Sequence, residues 1–372
     1  MAAHGNEISG GARTFGSVPV GIEDSAPAEN QRFSNMAKVC IAKGGSRKEN
    51  IKTAVSLMEK DVEKSIRKRG KETLFIKVNS LDSSVPKACT HPEALEAALE
   101  YFYGRFGRII VGDNSSCFMG GPNIYAHLKE KFDKMEFSNL KEFKSEELNF
   151  EMLGGNVKVR VSTLPKEAYT ISLALPKSHD NFVFTGCSKN MLGCVVENRQ
   201  CVHALKAHER LFLNNMVKGN ALATRNLVKT IKAAKPDLAI LDGFEGMEGD
   251  GPAMGNMVEM GIALASADCV ALDRTAAKLC GFENVPYLDL CLKDGIGAQE
   301  AEIIKLGFSN IADIAKKFKQ HPLAKYQTMT EMKTVFPKVN SSLVKSVMMN
   351  PHPHRMAAKI LRMMLKKAER KS

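Results

Sequence analysis

Between residues 37 and 111, short apolar runs alternate with longer stretches whose apolar residues recur at helical spacing. This alternation limits the possible folds more than any other feature. KVCIA at 38–42 reads as a strand, and 49–69 reads as a helix with Ile51, Val55, Met58, Val62 and Ile66 along one face. A strand at 73–78, a helix at 92–106 and a strand at 108–111 follow. Strands separated by helices predict an α/β fold, a mostly parallel sheet flanked by helices. VKVRVS at 157–162 alternates strictly, and with the more apolar run at 170–175 it predicts a small antiparallel addition. Stretches 202–216 and 222–234 read as helices, 262–272 as a helix end, a turn at 266–268 and a short strand or helix start, and 300–318 as a helix.

A chain of 372 residues is long enough for one elaborated domain or two. Residues 1–35, rich in Gly, Ser, Ala, Pro and Asn, predict a disordered or loosely attached arm. A single α/β domain over 36–310 and a helical, basic C-terminal extension over 311–372 complete the expected organisation. The formal charge is +12, and much of the excess falls late. Lys345, Arg355, Lys359, Arg362, Lys366, Lys367, Arg370 and Lys371 face only Glu369 from residue 343 onward. A solvated helix face is the favoured reading of that tail, ahead of contact with nucleic acid or an anionic membrane.

Nine cysteines include no CxxC pair and no zinc or iron–sulfur spacing, so a cluster of that kind is not expected. Cys187, Cys194 and Cys201 recur every seven residues and read as small core residues. Scattered thiols without a secretory leader predict a cytoplasmic protein. The longest apolar run, near 261–265, is too short to span a bilayer.

Four strand ends carry the candidate chemistry: Lys77 with Asn79, Asp113 to Ser115, Lys177 to Asp180, and Asp242 onward. In a parallel sheet such ends lie along one edge, where ligands bind. Lys77 and Asn79, like Lys177 and His179, are two residues apart and project from one face of an extended chain. A cation beside a neutral donor suits a carboxylate or phosphate, and an imidazole can move a proton. TGCSKNMLG at 185–193 reads as a loop entering a short helix, with Thr185 or Ser188 as cap and Lys189 in its first turn, an anion site with neither Walker nor dinucleotide spacing.

After the apolar run 238–241, glycines at 243, 246, 249, 251 and 255 are interleaved with Asp242, Glu245, Glu248 and Asp250. This predicts a loop in which Asp242, Glu248 and Asp250 hold a divalent cation, or in which the amides of Gly249, Gly251 and Gly255 wrap an anion. Asp268 and Asp273 add a carboxylate or cap the following helix. Lys177, His179 and Lys189 are the expected catalytic residues. Lys77, Asn79, Asp113, Ser115 and Asn190 join the three glycines as expected ligand contacts.

IKVN at 76–79, Thr90 to Pro92, VGDNSS at 111–116, LPKSHDNFVFTGCSKNMLG at 175–193, LDGFEGMEGDGP at 241–252 and ASADCVALD at 265–273 follow one another in order. In these blocks, spanning about 39–307, the chain resembles the prokaryotic family called domain of unknown function 362. The resemblance implies an α/β domain with a site at the matched polar positions, and no reaction. Lys177 and His179 fit its Lys-x-His pattern, whereas Cys187 and Ser188 stand where relatives often carry Ala or Leu. Some relatives carry a ferredoxin-like module with closely spaced cysteines, and this chain lacks that run. The expected function is an enzyme acting on a small anionic or zwitterionic substrate in a polar cleft, the acids facing the lysines. A redox component and a nucleic-acid-binding protein using the basic tail are the alternatives.

Overall fold

Val39, Cys40 and Ile41 are buried on both faces, as a strand deep in a covered sheet requires. The computed structural model describes residues 36–121, 123–198, 201–202, 204 and 213–325. The described residues all belong to the unit Met36–Ser372, and Met1–Asn35 lies outside them. The order of elements is β1 (Ala37–Lys43), α1 (Arg47–Ser56), α2 (Glu59–Arg69), β2 (Thr73–Val78), α3 (Pro92–Phe102), β3 (Arg108–Asp113) and β4 (Met135–Asn139). Next come β5 (Ser145–Met152), β6 (Gly155–Ser162), α4 (Leu164–Glu167), β7 (Tyr169–Ala174), β8 (Lys177–His179), β9 (Val183–Thr185), α5 (Cys187–Asn190) and β10 (Val195–Glu197). The order closes with α6 (Leu213–Ala233), β11 (Leu238–Glu248), β12 (Asn256–Ser266), α7 (Cys269–Leu279), α8 (Pro286–Lys293) and β13 (Ala301–Leu306).

The main sheet runs β13-β1-β12-β11-β7-β2-β3-β4, with β8 and β9 attached beside β11. Only β12 and the β8–β9 hairpin introduce antiparallel pairs; the rest is parallel. Leu74, Ile76, Leu238 and Ile240 face α1 and α3 on one side. The other side packs α7, α8 and the antiparallel three-stranded sheet β10-β6-β5. The α/β class, the mostly parallel sheet and the small antiparallel sheet are as the sequence predicts.

Local departures have local causes. The 49–69 helix is two helices, broken at Leu57 and Met58, where Leu57 N closes on Thr53 O and Met58 is buried. The 92–106 helix leaves the α conformation after Phe102 for a single tighter turn. Residues 170–175 do not join the antiparallel addition; β7 lies in the main sheet, parallel to both β2 and β11. Residues 301–306 are an edge strand parallel to β1, and Ile303 and Ile304 suit it better than a helix. Most of 202–216 lies outside the described residues, while 222–233 falls within α6, which ends one residue before the expected 234.

The largest correction concerns 236–255. The strand does not stop at Asp242 but runs to Glu248, and β12 pairs back along it, so the loop is only 249–255. The same pairing makes 256–266 a strand rather than a helix end. Gly243 lies against Ile262, where a Cβ would come within 2.9 Å, and Gly246 lies against Phe318, at 2.5 Å. Those glycines admit bulky neighbours rather than a turn.

Candidate functional site

Lys77, the last residue but one of β2, is in register with Gly112 of β3 and Ser172 of β7. Its side chain is 1 % exposed, and Nζ donates to Asp113 Oδ1 at 2.8 Å, Val78 O at 2.8 Å and Asn190 Oδ1 at 3.2 Å. All three ammonium hydrogens are used within the protein. Asn190 returns the contact, its Nδ2 donating to Lys77 O at 2.8 Å and Ser172 Oγ at 3.0 Å. Asp113 Oδ2 accepts from both Ser80 N and Ser80 Oγ at 3.0 Å. Ser115 Oγ lies 2.6 Å from Ser80 Oγ, and because the Ser80 hydrogen is committed to Asp113, Ser115 is the donor there. The structure thus brings together Lys77, Asp113, Ser115 and Asn190 as one internal network. Gly193 makes room for it, since a Cβ would lie 2.3 Å from Asp113 Oδ1 and 2.6 Å from Lys77 Nζ.

Beside this network stands β8. Lys177 is 2 % exposed, and Nζ donates to Asn79 Oδ1 and Ala88 O, each at 2.7 Å. Burial pushes its amine down to about 7, a shift that the positive charges of Lys189 and Lys77 extend and the acidic groups of Cys89 and Asp113 oppose. In the neutral form of the amine both hydrogens are placed by those two acceptors, and they fix the direction of the lone pair.

His179 follows two residues later and is also buried. Burial pushes the imidazole down to about 4, helped by Lys189 and opposed by Asp180. Nδ1 accepts from Asn181 N at 3.2 Å and Phe182 N at 3.4 Å and lies 2.7 Å from Asp180 Oδ1, so the ring is held in the β8–β9 turn by its Nδ1 edge. Phe182 meets the ring edge-on at 5.1 Å, and Lys189 Nζ stands 5.0 Å from the centroid of the same phenylalanine.

The expected cap and anion site at the start of α5 are corrected. Neither Thr185 nor Ser188 caps this four-residue helix. Asp273 from α7 does so, Oδ1 accepting from Cys187 N at 2.8 Å and Oδ2 from Ser188 N at 2.7 Å. Gly186 permits that approach; a Cβ would lie 2.4 Å from Asp273 Oδ1. Burial pushes the Asp273 carboxyl up to about 7. The anion at this helix start is the protein's own.

Nor do the acids of β11 face the lysines. Asp242 alternates with Leu238 and Ile240 onto the α1/α3 side, opposite the side that Lys77 shares with Phe75. Its partner is Arg47 from the first turn of α1, Nε lying 3.1 Å from Oδ2, and Arg47 also reaches Glu245 at 2.8 Å. Burial still pushes Asp242 up to about 6. Glu248 is six residues along the strand, roughly 20 Å at strand rise, and Oε2 accepts from Lys319 N at 2.8 Å. The Asp242, Glu248 and Asp250 cation site does not form, and among the described residues no group of three His, Cys, Asp or Glu could hold a metal ion.

The tip glycines hold the hairpin to β8. Gly249 O accepts from Ser178 Oγ at 2.9 Å, and a Cβ on Gly251 would lie 2.1 Å from Ser178 O. Gly255 O accepts from Lys87 Nζ at 2.9 Å. Ser80, Ser172, Arg47 and His321 are polar residues that the sequence reading missed. Only Arg47 carried a signal, its place after Gly44, Gly45 and Ser46 at a helix start.

The family model for the domain of unknown function DUF362 matches residues 74–278, more than half of the chain. The chain belongs to the DUF362 family. The DUF362 match takes in every residue of the Lys77 network and of β8, and excludes Arg47 and His321. A thylakoid-associated protein of Synechocystis sp. is 29 % identical over 214 residues, covering 54 % of this chain and 61 % of that protein, less than two thirds of its length. The lactate racemase apoprotein from Thermoanaerobacterium thermosaccharolyticum aligns over 89 % of this chain and 82 % of its own, at 13 % identity and a TM-score of 0.43, and no activity is carried across from it. No described helix is long and apolar enough to cross a membrane.

Proposed function

We propose that this DUF362 protein is an enzyme that binds a small anionic or zwitterionic substrate beside β8, at the carboxyl edge of the sheet, and moves a proton on it. The carrying observation is the buried Nζ of Lys177, held by two acceptors at 2.7 Å, on an amine that burial pushes down to about 7. Lysines in this condition serve as general bases. His179, its imidazole kept neutral by burial, relays the proton, and Lys189 in the adjoining first turn of α5 holds the negative group. The Lys77 and Asp113 pair is the fixed strut on which Asn190 and α5 are mounted.

A screen of small carboxylates and phosphate esters by thermal shift tests this reading. A true ligand at a hundredfold excess over its Kd stabilises by about 2.7 kcal/mol. Lys177→Met and His179→Gln, checked for native circular dichroism, are expected to abolish turnover of that ligand. An anion still turned over at the wild-type rate by both variants would refute the assignment.

A further inference from the structure

Residues 316–321 lie beyond the family match and form no helix or strand, yet they are tied to the site from two directions. Lys316 N donates to Leu279 O at 2.8 Å and Phe318 N to Cys280 O at 2.9 Å, fixing the segment to the end of α7. Gly249 N donates to Lys319 O at 2.7 Å, and Lys319 N to Glu248 Oε2 at 2.8 Å, fixing it to the tip of the β11–β12 hairpin. Between these anchors Phe318, 4 % exposed, occupies the room left by Gly246 and meets Phe282 edge-on at 6.3 Å.

One residue joins this strap to β8. The Gly249 carbonyl accepts from Ser178 Oγ at 2.9 Å while its amide donates to the strap. His179 is the next residue on one side of that bridge, and His321 is two residues along on the other. The charge of His321 is accordingly among those acting on His179.

We propose that His321 is a residue of the site, a second imidazole that, with His179 and Lys189, receives a small anion whose binding takes up a proton. This rests on the reading of β8 as a substrate site and adds a substrate class, an anion recognised by imidazolium. The charged groups around the pair are Asp180 from the β8–β9 turn, Lys189 from α5, and Lys319 with Glu248 at the hairpin tip. An incoming negative charge favours the protonated form of both rings.

The test is an NMR titration of the full chain with isotope-labelled histidine, with and without inorganic phosphate. His179→Gln and His321→Gln assign the two rings among nine histidines. The expected result is that phosphate raises both midpoints and binds up to about tenfold more tightly for each unit of pH lowered through the linked range. His321→Gln and His321→Asn are expected to weaken that dependence, leaving the part linked to His179, and to raise the His179 midpoint, because a neighbouring positive charge is lost. Phosphate binding that requires Lys189 but keeps the full wild-type pH dependence in both His321 variants would overturn the inference and leave the site standing. Mutual shifts of the two rings without any phosphate binding would instead overturn the anion reading beneath it.

Discussion

Gly186, Gly193 and Gly251 each lie where a side chain from a distant segment needs the space of a Cβ. Gly193 sits over Lys77 and Asp113, Gly186 over Asp273, and Gly251 over Ser178. The polar blocks of the sequence therefore interlock through missing side chains. Gly193→Ala is expected to force the Lys77 and Asp113 pair apart, and separating a buried pair costs about 3–5 kcal/mol. Gly104→Ala, where nothing lies within 4 Å of the new atom, is expected to change stability by less than about 1 kcal/mol. Urea denaturation of both variants checks the contrast, and equal losses would remove the interlock.

At the level of elements, α1 is docked on β11 through Arg47 and Asp242 as well as through Ile51 and Val55. The Asp242 carboxyl is raised to about 6 against an ordinary value of 3.8, so the native state holds more protons than the unfolded chain between those values. Native stability carried by the group therefore falls as pH rises through that window. Above it, Asp242→Asn breaks a charged pair and is expected to destabilise by a few kcal/mol. The Asn side chain does not titrate, so as pH falls from about 6 towards 3.8 the wild type gains stability that the variant does not, and the gap between the two proteins is expected to widen. Denaturation across pH measures it; a gap that narrows on acidification would contradict the assignment.

The same elements show what the sequence made legible. Strand β2, α3 and β3 were readable because their apolar period is carried by residues that face one continuous core. Residues 243–248 were not, because glycines in a strand pattern resemble a turn until the partners, Ile262 and Phe318, are known. Parity would have put Asp242 on the far face from Lys77, but only once the strand was known to continue. Lys177 and His179 stood out by spacing, whereas the two acceptors that aim Lys177, Asn79 Oδ1 and Ala88 O, are about ninety residues away in sequence. His321 left no mark at all, since a strap held by backbone bonds has no side-chain period.

For the molecule as a whole, helices cover both faces of the sheet, and the polar groups gather at its carboxyl edge in two separate clusters. Arg47, Asp242 and Glu245 hold α1 to the sheet, and Lys77, Lys177, His179 and Lys189 occupy the other face and the β8 hairpin. The proposed proton transfer falls to the second, and within it to one amine. The direct measurement is competitive labelling of lysine side chains across pH, read by mass spectrometry at Lys177. Its amine is expected to titrate near 7, well below the ordinary 10.5. Because the unfolded chain then binds the extra proton between those values, stability relative to Lys177→Met is expected to rise with pH there, by up to about 1.4 kcal/mol per unit. A Lys177 that titrates with the surface lysines, and a stability difference flat across that range, would contradict a buried neutral base.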